Sequence, residues 1–343
     1  MLVSDFDYDL PPELIAQEPL PKRDQSRMMV LERKTGKIFH SSFQNFPDFL
    51  SDGDVLVINE TRVFPARIWG EVNGKVVEFL FLVEKENKIW EVLCRPAKKV
   101  KIGEIIKFSH GLYGNVLATG PEGRRYLHFD NPDVKKILTN IGAAPLPPYI
   151  KRPELGGPQR NSDLERYQTV YARKGTSIAA PTAGLHFTPD IMNKIKAKGV
   201  NDVPIVLNVG LATFQPVRVD VVEKHKMLKE SYTLSASASS LIQNAKKQGR
   251  PVIAVGTTTV RTLESAFKNN KIQPGTHETG LFIYPGYTFK GVDKLLTNFH
   301  LPRSTLLILV SAFAGTELIK KAYAEAVKQK YRFFSYGDCM FIQ

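Results

Sequence analysis

The chain has 343 residues, and 47 Lys and Arg against 34 Asp and Glu leave a formal charge of +13. With 43% hydrophobic and 24% charged residues it has the balance of a folded protein, and its length suits two domains better than one. The longest apolar stretch, Leu306–Ala314, is about nine residues where a bilayer span needs roughly 20, which argues against a membrane protein. The opening Met1-Leu-Val-Ser-Asp-Phe-Asp7 lacks the basic head and apolar run of a secretory signal. Cys94 and Cys339 lie far apart and make no disulfide framework, so the expected compartment is a reducing cytosol. A positive surplus there favours a polyanion, most commonly RNA.

In chain order, Leu10-Pro-Pro-Glu-Leu-Ile-Ala-Gln17 is amphipathic, and its prolines suit a helix start. Asp54-Val-Leu-Val-Ile-Asn59 is apolar throughout, as in a strand buried on both faces. Between about 68 and 130 the texture changes to short β-type runs separated by Gly and Asn turns. They are 67–70, 76–83, 89–94, 104–108, 114–118 and 125–129. Strands at that spacing predict a small barrel or sandwich. The proline-rich connector 145–153 predicts extended backbone. Beyond it strands and helices alternate. Thr188-Pro-Asp190 caps a helix through Lys196, and a strand follows at 203–207. A helix over 237–247, a strand at 251–255, a helix over 258–267 and a strand at 281–284 come next. Helices over 304–314 and 317–329 and a strand at 339–342 complete the chain. The predicted fold class is α/β: a mixed sheet in a domain built from both ends, residues 1–67 and 150–343, with an inserted β-barrel-like domain at 68–149.

Dinucleotide and P-loop glycine patterns are absent, and so are a nucleophile-elbow serine, H-E-x-x-H and C-x-x-C. The seven histidines show no i, i+4 pairing, so no metal site is expected. Three stretches carry candidate chemistry. In Ala180-Pro-Thr-Ala-Gly-Leu-His-Phe-Thr188, Thr182, Gly184 and His186 sit beside a helix start, where anions are welcome; an ordinary buried histidine in a glycine turn is the equal alternative. In Val255-Gly-Thr-Thr-Thr-Val-Arg261, Thr257, Thr258, Thr259 and Arg261 supply more hydroxyls than a helix cap needs. In Thr297-Asn-Phe-His-Leu-Pro-Arg-Ser304, Asn298 and His300 precede an apolar helix, again with a core histidine as the alternative. Basic residues gather at Arg62, Arg67, Arg95, Lys98, Lys99, Lys101, Arg124-Arg125, Lys151 and Arg152, as on a phosphate-binding face.

Together these stretches resemble the S-adenosylmethionine:tRNA ribosyltransferase-isomerases of queuosine synthesis. The resemblance also rests on Asp5-Phe-Asp-Tyr-Asp-Leu-Pro11, Asn59-Glu-Thr-Arg-Val-Phe-Pro-Ala-Arg67, Pro145-Leu-Pro-Pro-Tyr-Ile150 and Tyr167-Gln-Thr-Val-Tyr171. Phe282-Ile-Tyr-Pro-Gly286, Ser311-Ala-Phe-Ala-Gly315 and Tyr331-Arg-Phe-Phe-Ser-Tyr-Gly-Asp338 extend it to nearly the whole chain. Three positions depart from the family pattern. Asn208 stands for a histidine, Ala212 for a glycine and Leu228 for a second histidine. Leucine neither titrates nor hydrogen-bonds, so the two replaced histidines are read as structural in the family.

The resemblance implies transfer of the ribosyl part of S-adenosylmethionine onto the aminomethyl group of a deazaguanine at the tRNA wobble position. Adenine and methionine leave, and an epoxide-bearing cyclopentane results. A base removes a 5′ proton made acidic by the sulfonium, adenine departs, the amine attacks, and epoxide closure expels methionine. His186 or His300 is the expected proton-transfer residue, with no choice between them. Thr182, Gly184, Thr257, Thr258, Thr259, Arg261 and Asn298 are the expected substrate-binding residues, and Tyr284 offers an aromatic face to the sulfonium. Arg62, Arg67, Arg95, Lys98, Lys99, Lys101, Lys151 and Arg152 would grip the tRNA. No cofactor is expected, since the sulfonium compound is consumed as donor. The implied setting is the cytoplasm, and the implied state is a monomer or weak dimer. Two rival readings remain. One is an RNA-docking module without catalysis, and the other a methyltransferase, which lacks support from an early strand and Gly-rich loop.

Overall fold

The computed structural model describes residues 1–152, 159–210 and 217–343, with residue 159 in its backbone only. Two compact units divide the chain: Met1–Arg62, Pro148–Ile150 and Gln168–Gln343 in one, Val63–Pro147 and Lys151–Tyr167 in the other.

The strands are β1 (Arg27–Glu32), β2 (Lys37–Ser42), β3 (Val55–Asn59), β4 (Thr61–Val63), β5 (Arg67–Val72), β6 (Lys75–Glu84) and β7 (Ile89–Arg95). Then come β8 (Ile105–Phe108), β9 (Tyr113–Thr119), β10 (Arg124–His128), β11 (Lys174–Ser177), β12 (Asn201–Leu207) and β13 (Glu230–Leu234). The last are β14 (Val252–Val255), β15 (Phe267–Lys268), β16 (Lys271–Ile272), β17 (Gly275–Thr279), β18 (Lys294–Asn298) and β19 (Cys339–Ile342). The helices are α1 (Val134–Ile141), α2 (Gln159–Arg166), α3 (Pro189–Ala197), α4 (Ala236–Lys247), α5 (Thr257–Ala266), α6 (Thr305–Ala314) and α7 (Thr316–Lys328).

Nine strands form the sheet of the first unit in the order β17-β13-β12-β3-β14-β18-β19-β1-β2. Its centre, β12-β3-β14-β18, is parallel, while β13, β17 and β2 add antiparallel edges and β19 runs antiparallel to β18 but parallel to β1. Alternating side chains explain the layers. Val55, Val57, Val203, Ile205, Val252, Ala254 and Leu295 join a core with Ile242 of α4, Val260 of α5, Ile308 of α6 and Ala322 of α7. Leu56, Ile58, Ile253, Val255 and Leu296 turn to the other face. There they meet Phe43 and Phe46 of a 3-10 turn, Phe187, and Ile191 and Ile195 of α3. A strand covered on both faces must be apolar at every position, which is why the 54–59 run reads as it does.

The second unit contains a closed barrel, β10-β7-β6-β5-β8-β9. Inward Ile68, Val77, Phe79, Phe81, Val92, Ile106, Phe108, Val116 and Leu127 fill it. Gly70 and Gly114 let Phe108 and Phe129 pass, since a Cβ at either glycine would stand 2.7 or 2.8 Å from a neighbouring side-chain atom. All six β-type runs of the sequence become its strands.

Two expectations need correction. The strand expected at 281–284 is irregular; the strand lies just before it at 275–279, where polar Gly-Thr-His-Glu-Thr pairs with β13. The 10–17 piece forms only a 3-10 turn at Pro12–Leu14. The β1–β2 hairpin was not anticipated. No helix among the described residues is long and apolar enough to cross a membrane.

Candidate active site

In an open α/β sheet, ligands bind beyond the carboxyl ends of the parallel strands. Here all four central strands finish on polar groups. β3 ends at Asn59, whose amide spans to β12 through Leu207 O at 3.1 Å and Leu207 N at 3.0 Å. β12 runs into Asn208, whose Oδ1 accepts from Thr61 Oγ1 at 3.2 Å and Thr176 N at 3.1 Å. β14 gives way to Gly256 and the hydroxyls of α5, and β18 ends at Asn298. Gly256 is glycine because its φ of 87° belongs to the left-handed region.

His186 closes the 3-10 turn Thr182–His186 and is buried. Its Nδ1 lies 2.8 Å from Ser26 Oγ and its Nε2 3.4 Å from Asn298 Oδ1. Asn298 Nδ2 donates to Phe334 O at 2.9 Å, which turns Oδ1 toward the ring. With Oδ1 facing it, Nε2 carries the proton, and Nδ1 accepts from the Ser26 hydroxyl, whose other acceptor is Arg23 O at 3.2 Å. Burial pushes the imidazole down to about 4, the Asn298 hydrogen bond pulls upward, and Arg23 and Arg332 push down further. His186 rests neutral, with two cations acting on it.

His300 is buried in the turn after β18, with Nε2 2.8 Å from Thr297 Oγ1. Its backbone is held at both ends: N–H donates to Tyr323 Oη at 2.8 Å, and its carbonyl accepts from Tyr8 Oη at 2.6 Å. Burial alone pushes it down to about 3. The two imidazoles share no hydrogen bond; Asn298 joins His186, and Thr297 joins His300.

The remaining expected residues fall into distinct settings. Thr182 is half-buried and Gly184 buried in the same turn as His186. Thr257, Thr258 and Thr259 are buried in the first turn of α5. Thr259 Oγ1 donates to Val255 O at 2.8 Å, whereas Thr258 Oγ1 has no partner. Arg261 is buried and ion-paired to Glu230, and its Nε donates to Leu281 O at 3.1 Å. Glu230 also accepts from Gly210 N at 2.9 Å. The Arg261 charge thus ties α5 to β13. Tyr284 is half-buried and packs on Phe282, which in turn meets His225.

Of the basic residues, Arg62 is exposed on β4. Arg67 is held by Leu146 O at 2.6 Å and pairs with Glu78 at 3.4 Å. Arg152 makes a two-pronged bond to Asp163, at 2.8 and 2.7 Å, while Lys151 is exposed. Arg95, Lys98, Lys99 and Lys101 are exposed around one turn of the barrel unit. Beneath that turn lies Arg125, buried, donating to Val100 O at 2.7 Å, Ala97 O at 2.5 Å and Arg124 O at 2.8 Å. Five donors in a rigid fork let one guanidinium fasten the backbone that carries the lysines.

Sequence reasoning missed Ser26, Arg23 and Arg332 around His186, and the clamp made by Arg125. Only Arg332, inside the Tyr331–Asp338 motif, lay in a stretch already singled out for the resemblance without being given a role. Of the family departures, Asn208 is built into the strand-end network, Leu228 is exposed at 41%, and Ala212 lies outside the described residues.

The family model described as queuosine biosynthesis protein matches residues 3–342. The chain belongs to this family. The S-adenosylmethionine:tRNA ribosyltransferase-isomerase of Thermotoga maritima is 48% identical over 343 residues, covering all of both chains. The enzyme of the same name from Halothermothrix orenii is 49% identical over 347 residues, again with full coverage. A crystal structure of S-adenosylmethionine tRNA ribosyltransferase from Thermotoga maritima matches 99% of this chain and 100% of that one, with 39% identity and a TM-score of 0.57. As a member of the queuosine biosynthesis family the chain is an enzyme of the transferase and isomerase class.

Proposed function

We propose that the chain moves and isomerises the ribosyl part of S-adenosylmethionine onto the aminomethyl-deazaguanine at the tRNA wobble position, giving epoxyqueuosine-tRNA, adenine and methionine. The observation that carries this reading is the neutral His186, set between Ser26 and Asn298 at the carboxyl ends of the parallel strands with Arg23 and Arg332 nearby. A base that takes a carbon-bound proton must start unprotonated, and a depressed pKa secures that at pH 7. The free lone pair, on Nδ1, faces Ser26 Oγ, so the proton arrives through that hydroxyl: Ser26 gives its own proton to Nδ1 as it takes the one leaving the substrate, and Nε2–H still donates to Asn298 Oδ1. An anionic substrate group beside Arg23 and Arg332 offsets their charge and raises the basicity of the ring.

His186 is therefore the proton acceptor in this reading, and His300 a shaping element of the β18 turn. Thr182 and Gly184 shape the approach to His186, and Thr257, Thr258 and Thr259 bound the donor end. Tyr284 faces the sulfonium. Arg62, Lys151 and the Arg95, Lys98, Lys99 and Lys101 turn grip tRNA phosphates, with Arg125 setting the turn's shape. Arg67, Arg152 and Arg261 serve through the partners they already hold. S-adenosylmethionine is consumed, no other cofactor takes part, and the reaction belongs in the cytosol.

Incubation with S-adenosylmethionine and precursor tRNA should release adenine and methionine in equal amounts. Formation of S-adenosylhomocysteine would point to methyl transfer instead, and absence of turnover to docking alone. Lys98→Ala with Lys99→Ala should raise KM for tRNA several-fold and lower the salt slope by about 2, with kcat kept.

A further inference from the structure

Among the described residues of the α/β unit, three buried hydroxyls have no hydrogen-bond partner: Thr169 Oγ1, Tyr171 Oη and Thr258 Oγ1. Their residues are 5, 8 and 8% exposed. Folded chains rarely leave a buried hydroxyl unsatisfied without a use for it. All three border the turn that carries His186. A Cβ at Gly184 would stand 2.1 Å from Tyr171 Oη and 2.8 Å from Thr169 Cγ2. A Cβ at Gly256 would stand 3.5 Å from Thr258 Oγ1 and 3.7 Å from Ala183 Cβ. The turn that carries His186 is thus flanked by Tyr171 and Thr169 on one side and by the start of α5 on the other.

The surroundings are positive. The first amides of α5, at Thr257 and Thr258, point out of the helix with no helical carbonyl to reach, and the helix dipole adds to them. Arg23 donates to Leu185 O at 3.2 Å in the same turn and acts electrostatically on both Tyr171 and His186. Burial raises the Tyr171 phenol far above its ordinary value, so it remains a donor. Hydroxyl donors, unpaired helix amides and a cation about one buried turn call for an anion. A backbone phosphate has chain on both sides and needs an open groove, whereas a terminal carboxylate fits a closed end.

We propose that Thr169, Tyr171 and Thr258, with the first amides of α5, seat the amino-acid carboxylate of the sulfonium donor. This rests on the reading that the chain consumes S-adenosylmethionine. It replaces Arg261, whose charge Glu230 already takes up, by two residues outside the α5 motif.

Tyr171→Phe and Thr258→Val remove one hydroxyl each and keep the shape. Affinity is measured by calorimetry for S-adenosylmethionine, for its decarboxylated analogue and for precursor tRNA. Each variant should bind S-adenosylmethionine roughly ten- to a hundredfold more weakly, as for loss of a hydrogen bond to a charged group. Binding of the decarboxylated analogue and of tRNA should not move. The ligand-free variants should melt at the same temperature as the parent or higher, because an unsatisfied hydroxyl has gone; a purely structural role would lower it. Equal weakening for both sulfonium compounds, or none for either, overturns the carboxylate assignment. Weakened tRNA binding with unchanged sulfonium binding assigns the seat to a phosphate instead. A parent protein that binds no S-adenosylmethionine overturns both this assignment and the function on which it rests.

Discussion

His186 and His300 are buried alike and both rest neutral, but their neighbourhoods differ in kind. His186 is gripped through its ring, by Ser26 and Asn298, with two arginines close by. His300 is gripped through its backbone, by Tyr8 and Tyr323, and only burial lowers its pKa. Depth of burial therefore says little about use; the atoms held and the charges nearby say more. A ring fixed by side chains at both nitrogens is aimed at something, while a main chain pinned by two tyrosines maintains a turn.

The sharpest test of this contrast exchanges each ring for an amide. His186→Gln should cut adenine release about 10²- to 10⁴-fold at saturating substrates, the range of a lost general base, with the melting temperature nearly kept. His300→Gln should mainly lower the melting temperature; a larger loss of turnover there than at His186 would reverse the assignment.

A second test asks whether Arg261 behaves as scaffold. Glu230→Gln leaves a buried guanidinium without its counter-charge and should cost about 3–5 kcal/mol in denaturant unfolding. Tight binding of substrate that depends on Arg261 while stability is untouched would break that reading.

Protonation gives a third. Both histidines have folded pKa values, about 4 and about 3, below the ordinary 6.5. The unfolded chain then binds protons that the folded chain refuses, so stability is full above about 6.5 and falls as pH drops toward 4. Each histidine contributes a slope of roughly 1.4 kcal/mol per pH unit in that window. Unfolding curves at pH 7, 6 and 5 measure it, and either Gln variant should remove one share. The smallest effect expected comes from Arg332→Gln. Taking away one cation should raise the His186 pKa and move the acidic limb of the kcat/KM profile to higher pH, whereas His300 should not respond.

Local signals were the legible part of the sequence. Six short runs with turn residues between them gave the barrel, because alternation and Gly or Asn turns act within a few residues. Thr188 was readable as a cap, and its Oγ1 accepts from Ile191 N at 3.2 Å. The 339–342 strand was apolar on both faces and was placed correctly. The 275–279 strand escaped notice because Thr-His-Glu-Thr lies at a polar sheet edge, while the apolar 281–284 run packs without pairing. The candidate site was legible only in its local stretches, the two glycine turns and the turn that begins at Asn298. Ser26 reaches His186 across 160 positions, and no spacing rule extends that far. Tyr171 lay in a matching motif, but only coordinates reveal a phenol without a partner. Arg125 looked like one more surface cation until its three carbonyl acceptors were seen.

The place of β19 carries a consequence for how the molecule is made. Met28 of β1 aligns with Cys339, and β19 fills the gap between β1 and β18. Until residues 339–342 arrive, the β1–β2 hairpin has no seat in the sheet, and Met28–Leu31, fully buried at the end, remain open to wrong pairings. Closing so long a loop is slow, because chain entropy is lost before any contact repays it. Assembly is thus committed late, and a chain clipped within its last strand should gather with its own kind rather than persist as a partly working enzyme.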